Sequence, residues 1–331
     1  MSARRASAAA LILLAGALVG AFAPLARTTA MPTPVAEIAR TDFIAEGVAV
    51  VPRGLLLVSG VEGRTILRLT PMGAAPWLKG RAEGGLFGMA VDAAHDRLWV
   101  AETGGAKVPG GAGPAATGVL EVRLSDGRVL QRHPAPNDGK DHWIGDVALA
   151  ADGTVYASDS VGGLVYRLRP GGGGLEVTSD TGLRSPQGLV PTSDGKGLIL
   201  ADYATGLHVV DLATGAVGPA MPAGGKDLRG IDGLKRHGGD LIATRNGTDP
   251  QVIMRLTLAR GERDIAAWEY VARGPQVLED LSLGDVDRDR FVFVARSGWA
   301  AFDDDGHPNG KPHLTSVIAA LPLAAGSGDP P

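Results

Sequence analysis

Carboxylate and amide side chains stand at the start of four similar segments in this chain. The four residues are Glu46, Gln187, Asp232 and Glu279, in the sequences EGVAV, QGLVP, DGLKR and EDLSL. Like charges that share a narrow space repel each other unless a cation or a proton neutralises them. Oxygen ligands without cysteine or histidine suit a hard ion such as Ca²⁺, which takes about six to eight oxygens. If the fold brings these residues together, they could form a site for a divalent cation.

The segments that begin with these residues recur along the chain. Residues 145–168 show the pattern most clearly, with the sequence GDVALAADGTVYASDSVGGLVYRL. Alternating apolar residues with Asp-Gly and Gly-Gly turns indicate three short antiparallel strands. The second residues of the first strands lie at positions 47, 88, 146, 188, 233 and 280. A repeat of about 40 to 50 residues is typical of propeller blades made of four short strands.

The repeats predict an all-β fold, a six-bladed β-propeller closed by an N-terminal strand. The sixth segment ends after its third strand, near Leu323, and residues 34–40 (PVAEIAR) can supply the missing fourth strand. Closing the ring in this way removes an exposed sheet edge that would promote aggregation. We expect residues 31–331 to form a single domain.

The path of the chain through each blade predicts which residues share a face. If every first strand starts at one end of the central channel, the loop between the second and third strands returns to that end. Two of these loops are longer than the others, residues 103–117 and 298–314, and they could act as lids over the channel. Ligand sites commonly lie at such mouths. A plainer alternative is that the carboxylates pair with Arg245 and Arg296, at the ends of second strands, or are solvated.

The first 30 residues differ from the rest of the chain. Arg4 and Arg5 precede an apolar run from Ala8 to Ala23, and small residues follow it. This layout is typical of a secretory signal peptide, because the apolar run is short for a membrane span. We expect residues 1–30 to be removed on export and the mature protein to be periplasmic or secreted. An uncleaved anchor helix is the alternative.

Composition narrows the choice of partners. The formal net charge is −4 at pH 7, and the chain has no cysteine. Nucleic acids and anionic membrane surfaces are not drawn to a surface without a basic patch. Without disulfides, the stability of the fold must come from packing. We expect a monomer that acts on a small molecule and binds neither nucleic acid nor, after signal cleavage, a membrane.

Several of the repeats resemble the gluconolactonase and senescence-marker-protein family of six-bladed propellers, with paraoxonases as distant relatives. The similarity covers roughly residues 40–325 and includes EGVAV at 46–50, DGTVYASDS at 152–160, SPQGL at 185–189 and GIDGL at 230–234. The resemblance implies a lactonase or related ester hydrolase with a divalent cation, usually calcium, in the central channel. It implies metal ligands at Glu46 and Asp232, which open the first and fifth blades.

Two positions depart from the pattern of that family. The family has asparagine at the start of the third and fourth blades, where this chain has Gly145 and Gln187. Gln187 keeps an amide oxygen, whereas Gly145 has no side chain, although Asp146 follows it and could reach the site. The expected metal ligands are therefore Glu46, Gln187, Asp232 and Asp146.

These residues lead to two hypotheses of function. In the first, an exported metal-dependent lactonase or ester hydrolase, the cation polarises the ester carbonyl and stabilises the developing oxyanion. Asp232 or Glu279 would act as general base on water, and His142, three residues before the third blade, is a further candidate for a base. No His-x-x-x-His or G-x-S-x-G motif supports a catalytic zinc or a serine hydrolase.

In the second hypothesis, a non-catalytic propeller binds a small metabolite, a sugar or a protein partner on the same face.

Overall fold

The computed structural model describes residues 31–82, 84–111, 117–274 and 278–324. The expected signal peptide, residues 1–30, lies outside the described residues, as do residues 112–116 of the loop 103–117. Within the described ranges, no helix is long and apolar enough to cross a membrane.

The described chain folds into six antiparallel sheets arranged in a ring as a β-propeller, so the predicted fold class is confirmed. The first strand, β1 (Thr33–Ile38), belongs to the last sheet. Blade 1 contains β2 (Ala45–Val51), β3 (Leu55–Gly60), β4 (Thr65–Thr70) and β5 (Gly73–Lys79). Blade 2 contains β6 (Gly84–Asp92), β7 (Arg97–Gly104), β8 (Gly118–Arg123) and β9 (Val129–Pro134). Blade 3 contains β10 (Ile144–Leu149), β11 (Val155–Asp159), β12 (Leu164–Leu168) and β13 (Glu176–Asp180).

The second half of the ring continues this order. Blade 4 contains β14 (Pro186–Pro191), β15 (Gly197–Asp202) and β16 (Gly206–Asp211). Blade 5 contains β17 (Gly233–His237), β18 (Asp240–Arg245), β19 (Val252–Leu258) and β20 (Ile265–Arg273). Blade 6 contains β21 (Gly284–Asp287), β22 (Arg290–Arg296), β23 (Ser316–Pro322) and β1. Three short 3₁₀ helices, at Pro52–Gly54, Ala93–His95 and Trp299–Ala301, complete the regular structure of the described residues.

Each blade packs its two faces against its neighbours, and this explains the apolar character of the second strands. All residues of β15 and β18 are buried, because both faces of a middle strand meet another sheet. Strands that are covered on both faces read as nearly continuous apolar runs. The outermost strands β5 and β20, in contrast, leave several residues exposed. This gradient from the channel to the rim holds the first strands in fixed positions around the channel.

The N-terminal strand completes the sheet of blade 6. β1 pairs antiparallel with β23, from Thr33 opposite Ala320 to Ile38 opposite Ser316. Ile38 is 1% exposed and packs in a cluster with Val58 of blade 1 and Val294 of blade 6. The first and last strands of the described chain therefore lie side by side, and the seam between blades 6 and 1 is packed.

Two details differ from the sequence-based expectation. Blade 4 has three strands, because the segment after β16 forms only a single bridge between Val210 and Val217 instead of a fourth strand. The first strand of blade 6 begins at Gly284, so the residue that opens this blade is not Glu279. Residues 278–286 (LEDLSLGDV) mix apolar and acidic residues in a pattern that allows either register. The contacts described below place Ser282 at the opening position.

The seam between blades 6 and 1 gives a test of the ring. Replacement of Ile38 by Ala should lower the free energy of unfolding by about 2 to 5 kcal/mol, because it leaves a cavity between two sheets. Val35→Ala is the matched control on the same strand, since Val35 is 44% exposed and its loss should cost less than about 1 kcal/mol. Urea unfolding of the two variants measures this difference. Equal effects would show that β1 does not pack into the ring.

Candidate functional site

The residues that open the first strands lie at one level of the central channel. Backbone hydrogen bonds between neighbouring blades fix this level. The N–H of Gly188, after Gln187, donates to the carbonyl of Asp232 at 2.7 Å, and the N–H of Leu283 donates to the carbonyl of Glu46 at 3.0 Å. By the same relation, Ser282 is the opening residue of blade 6. The six opening residues are Glu46, Phe87, Gly145, Gln187, Asp232 and Ser282.

The carboxylates of Glu46, which is buried, and Asp232, which is half-buried, form a pair that interacts through its charges and has no cationic partner among the described residues. One oxygen of Glu46, Oε2, accepts the indole N–H of Trp299 at 2.5 Å. One oxygen of Asp232, Oδ2, accepts the amide Nδ2 of Asn246 at 2.7 Å. Each carboxylate therefore has one oxygen held by a neutral donor, and the charges of the two carboxylates repel each other.

The pKa values of this pair reflect their environment. Burial first, and then the charge of Asp232, raise the pKa of Glu46 to about 8, although hydrogen bonds from Trp299 and Ser282 oppose this rise. Burial raises the pKa of Asp232 to about 7, against the hydrogen bond from Asn246 and with a further contribution from Asp146. Raised pKa values of this kind indicate a site that favours either a bound proton or a bound cation.

Gln187 and Gly145 face each other beside the carboxylate pair. The Nε2 of Gln187 donates to the hydroxyl of Ser185 at 2.8 Å, which fixes the orientation of the amide. Its Oε1 lies 3.6 Å from the position that a Cβ on Gly145 would occupy. The amide oxygen of Gln187 therefore points towards a space that Gly145 leaves empty of side chain.

Asp146 contacts a different group of charges. It is 2% exposed, and its Oδ1 accepts the N–H of Val147 and lies 4.0 Å from Nζ of Lys235. Its Oδ2 is buried without a hydrogen bond among the described residues. Burial raises the pKa of Asp146 and of Asp285, while the charge of Lys235 acts against both rises. Lys235 and Asp285 line a cavity of about 520 Å³ further along the channel. Asp146 thus lies between the carboxylate pair and this cavity, and its role as a metal ligand stays a prediction.

The structure separates Glu279 from the other sequence-predicted residues. Its side chain is 51% exposed and forms an ion pair with Arg296 at 3.0 Å. Arg296 in turn donates from Nε to the carbonyl of Thr315. The expectation that Glu279 opens blade 6 was wrong, because the strand starts five residues later. For Glu279, pairing with Arg296 is the alternative that the structure supports.

His142 is buried among acidic partners instead of standing free at the channel mouth. Its Nδ1 lies 2.6 Å from Asp159 and 3.2 Å from the hydroxyl of Tyr166, and its Nε2 lies 3.0 Å from Asp138. Burial lowers the pKa of His142, but the hydrogen bonds to Asp159 and Asp138 outweigh burial, so its pKa is raised. With both ring nitrogens engaged, His142 fixes the segment that leads into blade 3.

Aspartates at the ends of second strands stabilise the same corner of their blades. Asp159 accepts the N–H of Trp143 at 2.8 Å, and Asp202 accepts the N–H of Ser185 at 2.7 Å. Each donor lies two residues before an opening residue. These aspartates therefore position the channel residues and do not belong to the carboxylate pair.

Two residues of the site were not found by sequence reasoning. Asn246 holds Asp232, donates also to the carbonyl of Leu281, and accepts the hydroxyl of Tyr203 at 3.0 Å. The sequence analysis singled out Arg245 at the end of its second strand, whereas the next residue, Asn246, is the one that contacts Asp232. Trp299 comes from the long loop 298–314, where no periodic pattern marks a site residue. Its contact with Glu46 shows that this loop reaches the channel mouth, as predicted.

The donor set at the channel is small. Among the described residues, no three His, Cys, Asp or Glu side chains converge closely enough to hold a metal ion. Glu46 and Asp232 interact through their charges, and Gln187 opens the blade next to that of Asp232. Hard divalent cations accept carboxylate and amide oxygens and complete their coordination with water, so the residues present fit a cation such as Ca²⁺.

The comparisons with known proteins support the fold. No protein-family model matches the chain, and no curated protein sequence matches it. The structure is similar to that of a PQQ-bound aldose sugar dehydrogenase from Streptomyces coelicolor, at 17% identity and a TM-score of 0.61 over 89% of this chain and 98% of that one. It is also similar to a glucose dehydrogenase from Thermus thermophilus (20% identity, TM-score 0.59, 88% and 100% covered). A third similar structure is a gluconolactonase from Xanthomonas campestris (19% identity, TM-score 0.56, 90% and 99% covered).

These similarities confirm the propeller fold, which the chain shares with structures named gluconolactonase and glucose dehydrogenase. At identities of 20% or less they establish the fold alone, because six-bladed propellers with one architecture carry unrelated activities. The chemistry of this chain must therefore be argued from its own channel residues.

The carboxylate pair predicts an unusual dependence of stability on pH. Because the folded-state pKa values of about 8 and about 7 exceed the ordinary values of 4.5 and 3.8, the native state binds these protons more tightly than the unfolded chain. This contribution to stability is complete below the ordinary values and is lost as the pH rises through about 8. In buffer with a chelator, Glu46→Gln should lose less stability than the wild type between about pH 5 and about pH 8.

Thermal unfolding across this pH range measures the effect. Glu176→Gln is the control, because Glu176 is an exposed carboxylate on the outer strand β13 and exposed ion pairs contribute little. Parallel stability curves for the wild type and Glu46→Gln would contradict the assignment of a proton to this pair.

Proposed function

We propose that this protein is an exported, metal-dependent lactonase or ester hydrolase with its active site at the mouth of the propeller channel. The observation that carries the proposal is the carboxylate pair of buried Glu46 and half-buried Asp232, which has no cationic partner among the described residues. Two such carboxylates are costly to keep charged unless something positive binds between them. The expected signal peptide, residues 1–30, would direct the chain to the periplasm or beyond.

Glu46, Asp232 and the amide oxygen of Gln187 would hold the cation, and Ca²⁺ fits this set of hard oxygen ligands. When bound, a divalent cation supplies a Lewis acid that polarises an ester carbonyl and stabilises negative charge on its oxygen.

The residues of the chain supply positioning and proton transfer. Asn246 holds Oδ2 of Asp232 at 2.7 Å and so leaves Oδ1 to accept a proton from an attacking water molecule. A bound cation would lower the pKa of Asp232 from about 7, so its carboxylate would be ionised and able to accept a proton at neutral pH. Trp299 orients Glu46 in the same way and covers it from the side of the loop 298–314. Asp232 is therefore the candidate general base of the proposed reaction.

Aromatic side chains form the apolar part of the site. Phe87, the opening residue of blade 2, packs edge-to-face against Trp143 with ring centroids 5.4 Å apart. Trp143 and Trp299 are both partly buried and belong to one apolar cluster. Apolar walls with a few fixed polar groups are typical of small-molecule sites and would exclude bulk water from the reacting ester.

A second candidate function is binding without catalysis. Two observations favour it. Gly145 contributes no ligand, and Glu279 is 51% exposed and pairs with Arg296, so the opening residues supply two carboxylates instead of the three expected. A propeller of this kind would bind a small metabolite or a sugar at the same mouth.

Asp232→Asn distinguishes the two candidates. We expect this variant to lose about a hundredfold or more of the lactone hydrolysis rate, because the amide cannot accept the proton from water. Steady-state hydrolysis of a panel of γ- and δ-lactones measures the loss. Asp180→Asn, on the outer strand of blade 3, should keep the wild-type rate. Equal rates in Asp232→Asn and the wild type would contradict the assigned base.

Dependence on a cation is tested by removal and return. Treatment with EDTA should abolish hydrolysis, and Ca²⁺ should restore it in the wild type but not in Glu46→Gln, which lacks one anionic ligand. Hydrolysis that persists in EDTA would exclude a role for the cation. Lactone binding without turnover, in the presence of Ca²⁺, would support the binding function instead.

A further inference from the structure

We propose that Gly145 opens the channel mouth into a side cavity and thereby selects lactones that carry a long substituent with an acidic end. This inference rests on the proposed hydrolase function, because it names the substrate class of the same site. It is carried by three observations, namely the missing side chain at position 145, the size of the adjoining cavity, and the charges that line it.

Gly145 is the only opening residue of the six described blades that has no side chain. A Cβ at this position would meet Oε1 of Gln187 at 3.6 Å and Cδ1 of Trp143 at 3.9 Å, both ordinary contact distances. Neither close packing nor a left-handed backbone therefore requires glycine here. By contrast, a Cβ on Gly188 or Gly233 of the neighbouring blades would come within 3.0 Å of its surroundings. The glycine at 145 leaves a gap between Gln187 and Trp143, and folding does not explain it.

A large cavity lies beside Trp143, the residue that borders this gap. Its volume is about 890 Å³, and it lies at the ends of β8 and β9. Trp143 lines the cavity, and the same ring stands beside Gly145 and packs against Phe87. Trp143 is thus a common wall of the channel mouth and the cavity. A substituent that leaves the carboxylate site past Gly145 would run along this ring.

The lining of the cavity combines apolar and basic residues. Trp143, Val119, Ala135 and Val161 contribute apolar surface. The charged residues of the lining are four basic and two acidic ones, Arg81, Lys107, Arg132, Lys140, Glu102 and Asp141. An excess of positive charge in a concave surface favours an anionic ligand.

Arg132 is the basic residue that is best fixed for this purpose. Its Nη1 contacts both oxygens of the buried Glu102, at 2.6 and 2.5 Å. These are the only hydrogen bonds of its guanidinium among the described residues, so Nε and Nη2 could donate to a ligand. A guanidinium held in one orientation can bind a carboxylate through two parallel hydrogen bonds. We therefore assign the acidic end of the substrate to Arg132.

Three lactones of one ring size test the substrate class. They are γ-butyrolactone, γ-decalactone with its hexyl side chain, and the analogue whose hexyl chain ends in a carboxylate. The wild type should prefer the acidic analogue over γ-butyrolactone in kcat/KM by more than about tenfold, since the apolar contacts and the charged hydrogen bonds add to transition-state binding. γ-Decalactone should fall between the two.

Two glycine variants locate the selectivity. Gly145→Val fills the gap and should lower kcat/KM for the acidic analogue at least about tenfold more than kcat/KM for γ-butyrolactone. Gly173→Val is the matched control in the same blade, because a Cβ there would meet nothing within 4 Å, and it should behave as the wild type. Should Gly145→Val unfold, Gly145→Ala gives a smaller change in the same direction. Equal preference in Gly145→Val and the wild type would overturn the proposal.

A binding measurement separates this inference from the hydrolase function. The probe is the tetrahydrofuran that carries the same acidic chain and has no carbonyl to hydrolyse. Calorimetry should detect its binding to the wild type and weaker binding to Gly145→Val and to the double variant Glu102→Gln/Arg132→Gln, which neutralises the ion pair without leaving one charge buried. If no lactone is hydrolysed but this binding pattern holds, the hydrolase function fails and the cavity assignment stands. If lactones are hydrolysed without regard to the side chain and the probe does not bind, the cavity assignment fails and the hydrolase function stands.

Discussion

The repulsion between the carboxylates of buried Glu46 and half-buried Asp232 is the constraint on which this site depends. Neither carboxylate has a cationic partner among the described residues. Trp299 and Ser282 donate hydrogen bonds to Glu46, and Asn246 donates one to Asp232. Burial makes their negative charge costly, so the pair favours either a proton or a cation. A proton satisfies the pair at low pH, whereas a divalent cation would satisfy it at neutral pH and would bring the chemistry of a Lewis acid with it.

The ring keeps this unfavourable arrangement in place. Six sheets pack face to face around the channel, and backbone hydrogen bonds join one blade to the next at the level of the opening residues. The aspartates Asp159 and Asp202 fix the turns that lead into blades 3 and 4. Because the packing of the whole blade determines where each first strand starts, the channel residues cannot move apart to relieve their repulsion. The packing of the ring thus keeps the two carboxylates close to each other despite their repulsion.

The sequence predicted the repeats, the fold and most of the channel residues, because each follows from a local pattern that recurs. Glu46, Gln187 and Asp232 stand at the same point of a strand–turn–strand unit, and this point faces the channel in every blade. The opening residue of blade 6 was predicted wrongly as Glu279. Residues 278–286 mix apolar and polar residues in a pattern that fits two strand registers, and only hydrogen bonds to the neighbouring blade select Ser282. Asn246 and Trp299 lie in loops, where the positions of side chains depend on contacts across the ring and no periodic signal exists. The pairing of His142 with two aspartates was hidden for the same reason.

The most direct test of the account is whether a cation binds between Glu46 and Asp232. Tb³⁺, a hard ion that replaces Ca²⁺, can be observed by its emission when a nearby tryptophan is excited, and Trp299 donates a hydrogen bond to Glu46. The account predicts saturable emission at one ion per chain, displaced by Ca²⁺ and lost in the double variant Glu46→Gln/Asp232→Asn. Trp299→Phe should weaken the emission while calorimetry still detects the bound ion. The absence of saturable emission from the wild type, or equal emission from the double variant, would contradict the account.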